Sequence, residues 1–154
     1  MNIAIGADHR GVNVGLGLVQ RLSDQGHNVV VVHCNEDEPC DYPDAAFRVG
    51  QAVASGAADR GILLCGSGIG MSIAANKING VRAALVGNTI AAEMSRRHND
   101  ANVLCLSADT IGVKAIEQIV DAWLSAEFEG GRHQRRVSKI AAIEMGENPC
   151  AVGD

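Results

Sequence analysis

Asp59-Arg60-Gly61-Ile62-Leu63-Leu64-Cys65-Gly66-Ser67-Gly68-Ile69-Gly70-Met71-Ser72-Ile73-Ala74-Ala75-Asn76-Lys77 is the stretch whose reading decides the fold. Gly61 to Leu64 is a short apolar run of the kind that forms a strand buried on both faces. Cys65 ends that run, three glycines follow within five residues, and small residues suited to a helix begin. A strand, a glycine-rich turn and a helix N-terminus together present free backbone N–H groups and a favourable dipole, which is an arrangement for an anion. A cysteine at the lip of such a ring has its thiolate stabilised and its pKa drawn down from about 8.5. The same cysteine also reads as packing, because free Cys is among the most buried residue types. The pattern Gly-x-Gly-x-Gly is not the dinucleotide fingerprint Gly-x-Gly-x-x-Gly, and no acidic residue closes a later strand in the usual ribose-binding place.

Working outward, Asn2 to Ala7 predicts a first strand, with Asp8-His9-Arg10-Gly11 as the turn beyond it. A helix follows to about Gln25, with Val14, Leu18 and Leu22 on one face. His27 to Val32 predicts a second strand. After an acidic loop, Pro43 suits a first helical position, and that helix runs to about Ser55. Val81 to Val86 predicts a fourth strand, Thr89 to Arg97 a helix, and Asn102 to Leu106 a fifth strand. The clearest helical stripe is Ile116, Ile119, Val120, Trp123 and Leu124. A last helix starts near Gly130-Gly131, carries Arg132, Arg135 and Arg136, and repeats Val137, Ile140 and Ala141 at helical spacing. Strands alternating with helices predict an α/β protein, a three-layer α/β/α Rossmann-like domain on a five-stranded parallel sheet. One domain over residues 1–147 and a frayed tail over 148–154 are expected.

The bulk properties agree. A chain of 154 residues fits one domain and buries roughly two-thirds of its unfolded surface. Aromatics are 3% of the residues against 47% hydrophobic overall, so the core must be Ala, Val, Ile and Leu. A net charge of −5 argues against non-specific nucleic-acid binding and confines any phosphate site to a local Arg or Lys cluster. The five cysteines are widely spaced with no CxxC pair. That pattern suggests neither a disulfide framework nor a zinc site, and a cytoplasmic home is expected. His33, Cys34 and Cys40 offer no second pair with ligand spacing, so no metal is expected. No signal peptide and no membrane span are expected either.

In an open parallel sheet, ligands bind beyond the carboxyl ends of the strands. Asp8 and His9 lie beyond the first strand, Tyr42 beyond the second, and Cys65, Gly66, Ser67, Gly68, Ile69 and Gly70 beyond the third. His98 and Asn99 sit between a helix and the next strand, at the opposite edge. If they serve the same site, they reach it from a second subunit across a dimer interface. Each residue also has a plainer reading. Asp8 caps the first helix, and Asp109 caps the helix after the fifth strand. His9 and His98 are solvent-facing near helix ends. Arg132 and Arg136, four apart on one face, read either as two halves of a phosphate clamp or as a solvated surface.

Six stretches together resemble one family. They are Ile5-Gly6-Ala7-Asp8-His9-Arg10-Gly11, Asp41-Tyr42-Pro43, Cys65-Gly66-Ser67-Gly68-Ile69-Gly70, Ala74-Ala75-Asn76-Lys77, Arg96 through Leu104, and Glu129 through Val137. In this order they resemble the ribose-5-phosphate isomerase B family, which includes allose-6-phosphate and galactose-6-phosphate isomerases. The resemblance implies a metal- and cofactor-free aldose–ketose isomerase acting on a sugar phosphate through an enediolate. It implies Cys65 as the base, with Met71 standing where the other family branch has its Glu. Gly66 to Gly70 become the oxyanion donors, Ser67 a proton relay, and His98 the group that opens the sugar ring. Asp8, His9, Tyr42 and Asn99 would hold the sugar, and Arg132 with Arg136 the phosphate. A homodimer or dimer of dimers sharing its sites across the interface follows from the same resemblance. Many members carry an Arg just after the fifth strand, where this chain has Asp109. That departure leaves open which sugar phosphate is used: ribose 5-phosphate, a tetrose 4-phosphate, or allose or galactose 6-phosphate.

Overall fold

A computed structural model describes residues 1–32 and 41–151 and contains five strands and six α-helices. His33, Cys34 and Cys40, weighed above as ligands, lie outside the described residues. The strands are β1 (Asn2–Ala7), β2 (Asn28–Val31), β3 (Arg60–Cys65), β4 (Ala83–Leu85) and β5 (Val103–Ser107). They form one parallel sheet in the order β2-β1-β3-β5-β4. Cys65 belongs to β3 and pairs with Ser107, one residue beyond the expected strand end. β4 is shorter than the predicted span 81–86. As an edge strand it has only β5 to pair with, and the Arg82 N–H instead donates to the side-chain oxygen of Asn102.

Successive strand side chains point to opposite faces, and each face has its own core. Ile3, Ile5, Ile62, Leu64, Leu104 and Leu106 pack beneath α1 (Val12–Asp24), α4 (Thr89–Asn99) and α5 (Val113–Ser125). Ala4, Leu63, Cys65, Val103 and Cys105 pack beneath α2 (Tyr42–Ala54) and α3 (Ile69–Ala75). In the expected α5 stripe, Ile116, Ile119, Val120 and Trp123 are all buried. The α6 stripe (Arg132–Glu144) differs from expectation: His133, Val137 and Ala142 are buried, whereas Ile140 and Ile143 stay exposed. Within the chain α6 packs on α4 and on the short turn Pro149–Ala151, and these contacts leave Ile140 and Ile143 at the surface. Among the described residues, no helix is long and apolar enough to cross a membrane.

Candidate active site

The chain leaves β1 toward β2 on one side, and β3 takes the other, so the switch point of the sheet lies between β1 and β3. The β1–α1 turn is tied there by the Asp8 N–H, which donates to Leu64 O at 3.1 Å. Asp8 is buried, and its Oδ1 accepts from the N–H groups of Arg10 (2.9 Å) and Gly11 (3.1 Å). The carboxylate therefore orders the turn ahead of α1 and is not the helix cap expected of it: the N-cap position is Gly11, and no side chain caps the helix. His9 beside it is exposed. Tyr42 begins α2, and its ring lies against Gly70, where a Cβ would come within 2.4 Å of Cε2.

The glycine loop is built around the sulfur of Cys65. Gly68 has a φ of 74° and no room for a side chain: a Cβ would stand 2.6 Å from Leu85 Cδ1 and 3.0 Å from the Leu106 backbone. This turn aims the Gly68 N–H at Cys65 Sγ, 3.0 Å away, a contact that supports negative charge on sulfur. The Ile69 N–H donates to Ser67 Oγ at 3.3 Å. The expected ring of free donors is thus only partly free. Gly68 and Ile69 turn inward, while no acceptor among the described residues meets the N–H of Gly66, Ser67 or Gly70. The loop's carbonyls are occupied from β5. Ala108 N–H donates to Cys65 O (2.9 Å) and Asp109 N–H to Gly66 O (3.1 Å). Ser107 Oγ donates to Gly66 O at 2.6 Å and accepts from the Thr110 N–H. Ser107 lies one residue past the expected fifth strand and closes β5, and nothing in the sequence signals its hold on the loop.

Asp109 is not a helix cap. α5 begins at Val113 behind Gly112, four residues on, and the Asp109 carboxylate instead pairs with Arg10 at 2.7 Å.

The remaining predicted residues gather at the other edge. Residues leading into β5 lie beside the start of β3, where the Gly61 N–H donates to Asn102 O. The five steps along β3 to Cys65 amount to on the order of 17 Å. At this far edge Arg96 is buried over the Trp123 ring and donates to Asp100 Oδ1 and Ala101 O, fixing the end of α4. His98 stacks on His133 with centroids 4.2 Å apart and planes 3° from parallel. Arg132 Nε donates to His133 Nε2, and Arg136 follows one turn along α6. Glu129 is held by Arg97 and lies 3.9 Å from His98 and 3.5 Å from His133. Neither Glu129 nor His133 was among the expected site residues.

His98, Glu129 and His133 bring possible ligand atoms within 4.8 Å of one another. Parallel stacked rings direct their in-plane lone pairs along separate planes, however, and a tetrahedral ion needs them to converge. Their titration has a clearer consequence. Burial, then the nearby His98, holds His133 below the usual histidine range, and the Arg97 hydrogen bond holds Glu129 below the usual carboxylate range. In both cases the unfolded chain binds more protons, so stability rises with pH across about 4 to 6.5. The thermal midpoint is expected to fall on acidification through that window, and His133→Asn to flatten its upper part. A wild-type midpoint constant from pH 7 to 5 would contradict this.

The family model described as Ribose/Galactose Isomerase matches residues 3–140. Ribose-5-phosphate isomerase B of Escherichia coli (strain K12) is 46% identical, covering 95% of this chain and 98% of that protein. D-erythrulose-4-phosphate isomerase of Pectobacterium atrosepticum is 41% identical, covering 96% and 97%. A crystal structure of ribose-5-phosphate isomerase B from Mycoplasma genitalium with bound ribulose 5-phosphate superposes with a TM-score of 0.89 at 44% identity, covering 94% of this chain and 96% of that one. The chain belongs to the ribose/galactose isomerase family.

Proposed function

We propose that the protein is an aldose–ketose isomerase that interconverts ribose 5-phosphate and ribulose 5-phosphate. The observation that carries this reading is the thiol of Cys65, which faces an inward N–H from Gly68 and adjoins three N–H groups with no acceptor among the described residues. The Cys65 thiolate removes the proton from C2 of the open-chain aldose. Negative charge moves to O1 of the enediolate, where the open N–H groups of Gly66, Ser67 and Gly70 stabilise it. Cys65 returns its proton to C1, while Ser67 carries the O2 hydroxyl proton to O1, giving the ketose. Asp8, His9 and Tyr42 hold the sugar. No metal or cofactor has a step to perform.

His98 opens the furanose by exchanging protons at the ring oxygen and anomeric hydroxyl. It stands a sheet's width from Cys65 of its own chain, so it acts in the site of a second copy, together with Asn99, Arg132 and Arg136. The protein is accordingly a homodimer, and a dimer of dimers retains the same shared sites. Supporting this, a groove of about 560 Å³ borders Asn99 and is lined by the exposed Ile140 and Ile143. The described cysteines Cys65, Cys105 and Cys150 are all free, which suits a reducing cytoplasm.

Proton NMR in heavy water tests the reaction, offering aldose phosphates of four, five and six carbons. Turnover of ribose 5-phosphate with solvent deuterium appearing at the transferred position is expected. Preference for another chain length would support a second reading, the same chemistry on a different sugar phosphate. The Arg10–Asp109 pair favours that reading, and so does the likeness to the Pectobacterium enzyme. Absence of turnover and exchange with every sugar would mean a non-catalytic binding domain.

A further inference from the structure

Arg10 and Asp109 stand 99 residues apart in sequence yet meet directly over Gly66, the residue next to the thiol. A Cβ on Gly66 would lie 2.8 Å from Asp109 Oδ2 and 3.0 Å from Arg10 Cδ and Nε, so the pair rests flat on the loop. Both ends are fixed at the backbone: the Arg10 N–H to Asp8 Oδ1 and the Asp109 N–H to Gly66 O. The guanidinium spends only one edge on the carboxylate. Nε (2.8 Å) and Nη2 (2.7 Å) both donate to the single oxygen Oδ2, and Nη1 meets no acceptor among the described residues.

An exposed ion pair of this kind adds little stability, about 0–1 kcal/mol. Its placement suggests another use. A phosphate monoester carries about −1.5 to −2 charge near neutral pH, and the chain itself carries −5. A buttressed, partly exposed guanidinium whose Nη1 meets no acceptor among the described residues is free to take oxygens of such a group. We propose that Arg10 is a substrate-binding residue that contacts the phosphate of the sugar, and that Asp109 is the positioning residue that aims it. This rests on the sugar-phosphate isomerase reading above. The acid at position 109 then does not leave the pocket without positive charge on the side that carries Cys65. It fixes where that charge is presented, and so how long a sugar fits between the thiol and the phosphate.

The test compares wild type, Arg10→Ala, Asp109→Ala and the double variant, each checked for folding by circular dichroism. Both side chains are substantially exposed, so native spectra are expected. Arg10→Ala should raise KM for ribose 5-phosphate by about 10–100-fold with kcat within about three-fold, the loss of one charge-assisted contact. Asp109→Ala should raise KM about three-fold or more while Arg10 is present, because it releases the guanidinium, but should lower KM in the Arg10→Ala background, where it removes a lone carboxylate beside an anion. Phosphorus NMR titration with inorganic phosphate should show binding weakened about ten-fold or more by Arg10→Ala. KM and phosphate binding within two-fold of wild type in Arg10→Ala would overturn the assignment, as would a fall in kcat alone or equal effects of Asp109→Ala in both backgrounds. A wild type that turns over no sugar would instead refute the isomerase reading, and the phosphate titration would still decide Arg10.

Discussion

Cys65→Ala is expected to lower kcat for ribose 5-phosphate by about 10³-fold, the scale of a positioned proton-transfer group, while leaving KM within a few-fold. So selective an effect follows from the local geometry. The sulfur accepts one hydrogen bond, from the Gly68 N–H, and its side chain otherwise packs in the core beneath α2 and α3. Removing it costs about 1 kcal/mol of stability, the usual scale for a modest core truncation. The loop itself is held by β5: Ser107, Ala108 and Asp109 occupy the carbonyls of Cys65 and Gly66 whether or not the sulfur is present. The proposed contacts of Asp8, Tyr42 and the open N–H groups are therefore expected to survive, and what is lost is the proposed base. Cys65→Ser sharpens the point. A hydroxyl still accepts from Gly68 yet is a far weaker source of anion than a thiol, so kcat should stay low although the geometry is kept. Steady-state kinetics, with solvent deuterium exchange into bound sugar as a second readout, check both variants. A kcat within ten-fold of wild type in Cys65→Ala would remove the thiol from the reaction.

The features the sequence made legible are those encoded over short distances. Apolar runs such as Ile62-Leu63-Leu64 and Val103-Leu104-Cys105-Leu106 announce strands covered on both faces, and both lie at the centre of the sheet. The turns beyond β1 and β3 announce the edge at which Asp8 and Cys65 converge. Even the separation of His98 from Cys65 was readable, because a helix in a parallel α/β unit runs opposite to its strands. Contacts between remote side chains were not readable. Asp109 has the local look of a cap, and nothing near it reveals that Arg10, folded over Gly66, claims its carboxylate. His133 is one histidine in an Arg-rich run, and its stacking on His98 depends on how α6 settles against α4. Periodicity placed Ile140 on an apolar face but could not say whether the chain's own core covers it. It does not, and Ile140 remains at the surface beside the Asn99 groove.

That uncovered face underlies the second large expectation, that two inactive variants restore activity when mixed. Cys65→Ala lacks the proposed base, and His98→Asn lacks the group proposed to open the ring. Each homodimer alone should be nearly inactive toward the cyclic sugar. In a mixed dimer built on two-fold symmetry, one site combines the two altered residues and the other combines native Cys65 with native His98 of the partner subunit. After subunit exchange of an equal mixture, half the dimers are mixed and each has one working site, so activity should return to about a quarter of wild type. A site assembled within one chain predicts no recovery, because every chain in the mixture carries a defect. The outcome is thus set by whether the two sheet edges, separated along β3 by on the order of 17 Å, belong to one site through a second copy. His98→Asn has a further signature. Its defect should be largest for sugars that are mostly closed and should shrink when open-chain aldehyde is abundant, whereas Cys65→Ala remains inactive toward both. If mixing restores nothing while the subunits demonstrably exchange, the shared site fails, and His98 stacked on His133 becomes a surface feature of α4 and α6.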